Sequence, residues 1–435
     1  MAEPRVVAVV GTTGAGKSRV ALEIARQCNG EVVNCDVMQM YAGLDVATNK
    51  ASADERAAVR HHLLSFSTDY TGAELQVHEY RQRAREVVRE VASRGKLPVL
   101  VGGSNYYMSA VLFDDRLAPR GDAAHDTVAV DADLEAMTAG ELMAELERVD
   151  RRMAERWHVN DVRRVRRSIM VFRATGRRHS DVIDEQRSAG SASRLHFART
   201  RVIWVDCGDR DRLYARLDAR VGEMRTAGIV DEVRAFWRQL RDGGEPYDES
   251  RGVLQAIGFK EFRPLLDVDG EPGEDVVEQC LDTLRRNTRK YAASQLTWIR
   301  NQWVKTGVLH PHLYRVDGSD ESAFADACIA PALAIVRHEL PAAACDDAGE
   351  AGERAAICAT HRVAAPTADA GESGPWRKRK CDVCHKEANG EREWEAHVKS
   401  RQHRRLAHKS SKPRRPPGPA KSQDASEGKD TTEQR

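Results

Sequence analysis

Apolar residues recur along this chain in two rhythms. Continuous, β-branched runs at residues 6–10, 31–34, 97–101 and 201–206 read as strands buried on both faces, the pattern of a parallel sheet. Between the first three runs the apolar positions space out at three and four residues. Over residues 19–28 and 76–94 this predicts helices, ended by Asn29-Gly30 and by Gly95. Strand and helix in alternation predict an α/β core. From about residue 117 to 200 the strand signal gives way to highly charged helical patterning, and because residues 201–206 return to a buried strand, that stretch reads as an insertion. Leu213, Leu217, Val221 and Met224 then mark a helical stripe, with Arg212, Arg216 and Arg220 on another face. Residues 280–303 read as a long basic helix with aromatic anchors, and residues 313–316 as a last strand.

The expected layout is a catalytic α/β core at residues 1–116 and 201–340, a helical insertion at 117–200, a linker at 341–375, a small module at 376–410 and a disordered tail at 411–435. The linker reading rests on Ala, Gly, Asp and Glu without sustained periodicity. Charge sharpens this layout. The formal net charge is only +1, yet Trp376 to Arg415 holds 14 Lys/Arg against 5 Asp/Glu, while residues 1–375 sum to −7. A mildly acidic body with a strongly basic C-terminal module suggests an appended nucleic-acid reader. Nine cysteines, only one pair of them closely spaced, argue for a reducing compartment rather than a disulfide framework. No apolar run approaches the ~18–20 residues of a membrane span. Met1-Ala-Glu-Pro leads straight into the first strand, leaving no room for a signal peptide. A soluble, intracellular protein is expected.

Candidate chemistry starts where the first strand ends. Gly11, Thr12, Thr13, Gly14, Ala15, Gly16, Lys17 and Ser18 have the G-x-x-x-x-G-K-[ST] spacing of a phosphate-binding loop between strand and helix. Successive amides can point at one anion, Lys17 adds a point charge, Ser18 can reach a phosphate-bound Mg²⁺, and the helix N-terminus adds its dipole. The second strand delivers Asp36 to the sheet edge where such folds bind ligands. There it can serve as Mg²⁺ ligand or as general base, or it can be a solvated loop aspartate. The strand at 97–101 ends in Gly102-Gly103-Ser104, where ATP-hydrolysing relatives of this loop carry a Mg²⁺-holding Asp. Those residues can admit a ligand closely, or simply turn the chain. His61 and His62, adjacent on a strand, face opposite ways, which favours structural or substrate contacts over a metal pair. Arg163, Arg164, Arg166 and Arg167 lie behind an N-cap at Asn160 or Asp161. They suit RNA phosphates or a diphosphate, or a solvated salt-bridged face. Finally, Cys381, Cys384, His397 and His403 have the C-x2-C-x12-H-x5-H spacing of a closed, structural Zn²⁺ site, with both histidines on one helix and Trp394 packing on a small ββα core.

Taken together, these segments resemble the tRNA dimethylallyltransferases (tRNA isopentenyltransferases), and specifically their zinc-finger-bearing eukaryotic type. The phosphate loop carries the resemblance, with Asn34-Cys-Asp36-Val37-Met38-Gln39-Met-Tyr41, Thr48-Asn-Lys50, His61-His-Leu-Leu64 and Val101-Gly-Gly-Ser104-Asn-Tyr-Tyr107. Asn160-Asp161…Arg164…Arg167, Gln255-Ala-Ile-Gly-Phe-Lys260-Glu261 and Thr288-Arg289-Lys-Tyr291-Ala complete it. The resemblance implies a P-loop NTPase-like core. It also implies transfer of a dimethylallyl group from its diphosphate to the exocyclic amine of the adenosine 3′ of the anticodon in tRNA, with Mg²⁺ assisting and Zn²⁺ structural. Gly11 to Ser18 would hold the diphosphate. Asp36, Ser104, Lys17 and Arg220 would be catalytic, Asp36 as general base. The tRNA-contacting set would be Asp36, Val37, Met38, Gln39, Ser104, Arg163, Arg164, Val165, Arg166, Arg167, Gln255, Lys260 and Arg289. The base must leave its stack to reach the loop.

The sequence departs from the family pattern at three points. Ser104 stands where Thr is commoner, Val159 replaces a proline, and Ala293-Ser294 replaces a basic pair before Gln295. Rival readings are an adenylate isopentenyltransferase acting on free nucleotides and an RNA-binding P-loop ATPase or kinase. A cytoplasmic monomer is expected, with nuclear or mitochondrial sites also open.

Overall fold

This computed structural model describes residues 3–70, 76–117, 133–188, 194–244, 247, 249, 252–268, 270–339, 351–365, 378–384, 386–389 and 391–410. The expected tail at 411–435 lies outside them. The chain divides into two compact units, Met1–Pro119 with Asp181–Gly371, and Arg120–Ser180 with Glu372–Arg435.

The first unit is organised on β1 (Val6–Gly11), all six of whose residues are buried. No polar side chain interrupts that run, so it needs cover on both faces and a neighbour on both edges. It finds them in β2 (Gly30–Asn34), β3 (His61–His62), β4 (Leu97–Val101), β5 (Thr200–Asp206) and β6 (Leu313–Asp317). The sheet order is β3-β2-β4-β1-β5-β6, with every pairing parallel. All the C-terminal strand ends therefore lie along one edge, where parallel sheets place their ligands.

Helices α1 (Lys17–Gln27), α2 (Val77–Ser93) and α3 (Asn105–Leu112) belong to the N-terminal half of the sheet. The insertion supplies α4 (Ala139–Val149), α5 (Arg151–Arg156) and α6 (Val162–Thr175), and α7 (His179–Ser188) leads back towards β5. Then come α8 (Arg210–Thr226), α9 (Ile229–Asp242) and α10 (Glu274–Ile299), with α11 (Ala330–Glu339) and α12 (Ala351–His361) after β6. The two-residue period of β1 divides the core. Val6, Ala8 and Val10 pack with Tyr80, Ala84 and Val88 of α2, Met108 of α3 and Leu281 and Leu284 of α10. Val7 and Val9 pack with Val20 and Ile24 of α1 and Ile335 of α11.

Three expectations change here. The long basic helix begins at Glu274, earlier than residue 280, and passes into a π-type turn at Arg300–Val304. The linker expected at 341–375 contains α12, packed on α11. Cys358 is buried against that helix, Val363 N–H donates to Leu313 O at 2.9 Å, and Arg362 Nη2 donates to Tyr314 Oη at 2.8 Å. One buried position on a short, alanine-rich helix is too weak a stripe to read as periodicity. Residues 194–200 belong with the core rather than the insertion: Phe197 is buried in it, and His196 Nδ1 lies 2.7 Å from Asp114 Oδ1.

In the second unit, α4 opens with a capping box between Thr138 and Glu141 and packs on α6. Asp161 is the N-cap of α6, its carboxylate accepting Arg164 N–H, and Gly176 ends the helix with φ 65°. The C-terminal module is an antiparallel hairpin, β7 (Lys378–Lys380) with β8 (Glu387–Asn389), followed by α13 (Glu391–Lys399) and α14 (Arg401–Ser410). Among the described residues no helix is long and apolar enough to cross a membrane.

Candidate functional site

The glycine loop between β1 and α1 forms one wall of a cleft of about 1170 Å³ in the first unit. Gly16 is the N-cap of α1 with φ 95°, and a Cβ there would lie 2.4 Å from Phe324 Cζ, so both the left-handed backbone and the close ring require glycine. Lys17 Nζ donates to Thr12 O at 2.8 Å and is buried. Burial pushes its ammonium down to about 8, with nearby Asp36 opposing the shift and Arg220 adding to it. Arg220, reaching in from α8, donates through Nη2 to Thr13 Oγ1 at 2.9 Å, and its Nε has no partner among the described residues. Thr12 Oγ1 is likewise buried without a partner. Unpartnered polar atoms around a positively charged loop suit an anion. Arg216, one helical turn before Arg220, has a different job. It ties the loop to the end of β6 by donating to Gly14 O at 2.9 Å and Gly318 O at 3.1 Å.

Across the cleft stands Asp36, immediately beyond the end of β2. Its Oδ1 accepts Met38 N–H at 3.1 Å and its Oδ2 accepts Gly103 N–H at 3.3 Å. Burial raises its carboxyl above the ordinary range, outweighing those two bonds and the Lys17 charge, all of which favour the carboxylate. Ser104 Oγ accepts Val37 N–H at 3.2 Å, which leaves the hydroxyl proton to point elsewhere. Gln39 Nε2 donates to Thr48 O and Asn49 O at 3.0 and 2.9 Å, and its carbonyl end has no donor among the described residues. Gln255 and Lys260 line the same cleft. The Gly102-Gly103 pair lines the cleft and also lets neighbouring protein atoms come close. A Cβ on Gly102 would lie 2.2 Å from Cys35 C, and one on Gly103 would lie 2.8 Å from both Asp36 Oδ2 and Gln295 Nε2.

Not every expected residue reaches the cleft. Arg289 is paired with Asp218, donating from Nε to Oδ1 at 3.0 Å. Val165 is fully buried on the core side of α6, so its side chain is a packing anchor and not an RNA contact. On the same helix Arg163 and Arg164 are exposed, Arg166 and Arg167 half-buried, and Arg164 lies over the Trp157 ring at 5.0 Å while pairing with Asp161. His61 and His62 hold the sheet edge, with His62 Nε2 2.6 Å from Glu31 Oε2 and His61 Nδ1 2.7 Å from Val59 O.

Tyr291 and Gln295 of α10 also line the cleft; the sequence placed them in the family pattern but gave neither a role in the site. The signal is in the helix's own period. The core-facing positions Leu281, Leu284, Thr288, Ala292, Gln295 and Ile299 are all buried, and an amide on such a stripe needs partners.

In the C-terminal module, Cys381, Cys384, His397 and His403 bring four ligand atoms within 4.8 Å of one another. Cys381 Sγ is 3.4 Å from His403 Nδ1, and Cys384 Sγ is 3.3 Å from His397 Nε2. A tetrahedral metal with ordinary Zn–S and Zn–N bonds needs S···N edges of about 3.6 Å, so the donor set and its spacing fit zinc. The two histidines are not on one helix as expected: the helix breaks at Ser400 between α13 and α14. Six residues of continuous helix turn through about 600°, which would aim the rings apart. The break brings them to 4.7 Å between centroids. A second grouping, His338, Glu339 and Cys358, does not suit a metal, because Arg201 and Arg362 already occupy the two Glu339 oxygens.

A parallel α/β sheet with a glycine loop facing a half-buried carboxylate across one cleft defines the class of the protein. The family profile described as IPP transferase matches residues 39–302. The tRNA dimethylallyltransferases of Mus musculus and Homo sapiens are each 32% identical over 419 residues, covering 92% of this chain and 85% of the relative. The Schizosaccharomyces pombe tRNA dimethylallyltransferase is 36% identical over 307 residues, 68% of either chain. A solved structure of a eukaryotic dimethylallyltransferase acting on tRNA matches with a TM-score of 0.70 at 26% identity, covering 94% of this chain and 98% of that one. The chain belongs to the IPP transferase family.

Proposed function

We propose that this protein transfers a dimethylallyl group from dimethylallyl diphosphate to the exocyclic amine of the adenosine 3′ of the anticodon in tRNA, releasing pyrophosphate. The observation that carries this reading is Asp36, half-buried and held by Gly103 and Met38, facing a phosphate loop whose Lys17 and Arg220 supply positive charge. The amine nitrogen attacks C1 of the allyl group, the C1–O bond to the diphosphate breaks, and Asp36 takes the amine proton. Lys17, Arg220 and the loop amides neutralise the departing pyrophosphate. The Ser104 hydroxyl, which Tyr291 also meets, turns to the bridging oxygen of the donor, and Gln39 turns its carbonyl to the adenine amine. The Ser18 hydroxyl, exposed on the first turn of α1 and lining the cleft, would hold a Mg²⁺, which would supply further charge neutralisation. The insertion arginines Arg163, Arg164, Arg166 and Arg167 act as phosphate contacts to the anticodon stem-loop. The zinc-binding module adds contacts elsewhere on the tRNA.

The test is to supply labelled dimethylallyl diphosphate with an anticodon stem-loop, AMP or ATP as acceptor. Label in the stem-loop is expected. Label in AMP alone would move the protein to the free-nucleotide enzymes, and ATP turnover without prenyl transfer would make it an ATPase. Asp36→Ala is expected to lower kcat by about 10²–10⁴-fold with donor affinity retained, measured by single-turnover transfer and donor titration. Near-full turnover in that variant would remove the base assignment.

A further inference from the structure

We propose that Gln295 is a positioning residue that sets the distance between the leaving group and the base by clasping the two walls of the cleft together. Its side chain is 3% exposed and every polar atom on it is used. Oε1 accepts the Thr13 N–H of the phosphate loop at 2.8 Å, and Nε2 donates to Gly103 O at 2.8 Å. Gly103 in turn gives its own N–H to Asp36 Oδ2, and Thr13 offers its hydroxyl oxygen to Arg220. One amide therefore links the strand end that holds Asp36 to the loop residue that Arg220 of α8 bonds. Tyr291, one turn earlier on α10, donates to the same Gly103 carbonyl at 3.1 Å and doubles the hold on that wall.

The arrangement has a second consequence. A phosphate loop ordinarily presents its amides to the anion. Here the Thr13 N–H already has a side-chain partner, so this amide serves alignment instead of donor binding. Removing the clasp leaves the remaining loop amides and Lys17 in place. It therefore reduces turnover rather than affinity, because a displacement of about 1 Å at reacting groups lowers rate by about 10²-fold.

This inference rests on the prenyl-transfer reading, and the experiment separates the two. The full chain, Gln295→Met and Gln295→Glu are compared for kcat and both KM values over a pH series, with melting temperatures checking that each variant is folded. Met fills the space without the hydrogen bonds, and kcat is expected to fall 10- to 100-fold with each KM within threefold. Glu can accept from Thr13 at any pH but can donate to Gly103 only when protonated. The charged and titratable groups facing that position are Asp36, Lys17 on α1, Arg220 on α8 and Tyr291 on α10 itself. The rate of Gln295→Glu relative to the unaltered chain is thus expected to climb as pH falls through the carboxyl's pKa, which a packing role alone does not produce. A Met variant within threefold in kcat, a loss confined to KM, or a flat Glu ratio would each overturn the clasp while the unaltered chain still transferred prenyl groups. Absence of transfer by the unaltered chain would instead overturn the reading beneath it.

Discussion

Asp36 and Lys17 are shifted towards each other by the same burial, and in opposite chemical senses. Taking a carboxylate out of water raises its pKa, and taking an ammonium out lowers it, here to about 8. The base must be unprotonated to accept the amine proton, so kcat/KM should rise with pH through an Asp36 pKa above the ordinary carboxylate range. Lys17 must be protonated to hold the diphosphate, so kcat/KM for the donor should fall above pH about 8. The expected profile is a bell. A donor kcat/KM series across pH checks it, and an unchanged rate down through pH 4 would separate the acid limb from Asp36. At this scale the sequence was informative. Lys17, Ser18, Asp36 and Ser104 were readable because a loop that cradles phosphate needs contiguous amides, and a strand end needs no partner to expose a carboxylate. Gln39 was readable for its place in the cleft, but the structure shows its Nε2 bonded to Thr48 and Asn49 backbone carbonyls. Only its carbonyl end remains for a base.

Elements carry the site into register, and two of them can be tested separately. Gly103 has no room for a methyl group, since a Cβ would stand 2.8 Å from the Asp36 and Gln295 polar atoms. Gly103→Ala should therefore displace both and lower turnover by about 10²-fold with the fold intact, as read by steady-state kinetics beside circular dichroism. At the other edge of the sheet, β2 and β3 are pinned by Glu31, which bonds His62, Arg94 and Lys96 at 2.6 to 2.8 Å. Burial alone would raise the Glu31 carboxyl, but Lys96, His62 and Arg94 together hold it down at about 2. A depressed carboxyl adds stability above its unfolded pKa and loses it as pH falls towards the folded value. Gln at position 31 should accordingly lower the Tm at neutral pH, with the gap closing as pH drops from the ordinary carboxylate range to about 2. A gap independent of pH would mean that the packing, and not the charge, holds this edge. β2 was legible as an apolar run, whereas the two histidines of β3 form no such run. α12 was not, because one buried position gives no period.

At the scale of the whole molecule, charge is divided between an acidic body and a basic C-terminal module, to which the proposed function gives a part in RNA capture. Zinc removal should weaken binding of full-length tRNA and make the affinity less steep in salt, because fewer phosphates are neutralised. Transfer to an isolated anticodon stem-loop should continue. Titrations at several salt concentrations, with and without a chelator, check this, and an unchanged tRNA affinity would assign the module to targeting or folding instead.

The sequence by itself determined the parallel core, the phosphate loop and the four zinc-type ligands, because each is written in neighbouring residues: a run, a spacing, a glycine where the backbone needs one. Tertiary structure decided what closes the cleft. Gln295 meets Thr13 from 282 residues away and Gly103 from 192. Nothing local gives it a role in the site except an amide lying where the helix period demands a core residue. It also decided that His397 and His403 converge, since only the break at Ser400 turns two residues six apart towards one metal. Spacing fixes which groups are available, and the packing of distant elements fixes which of them meet.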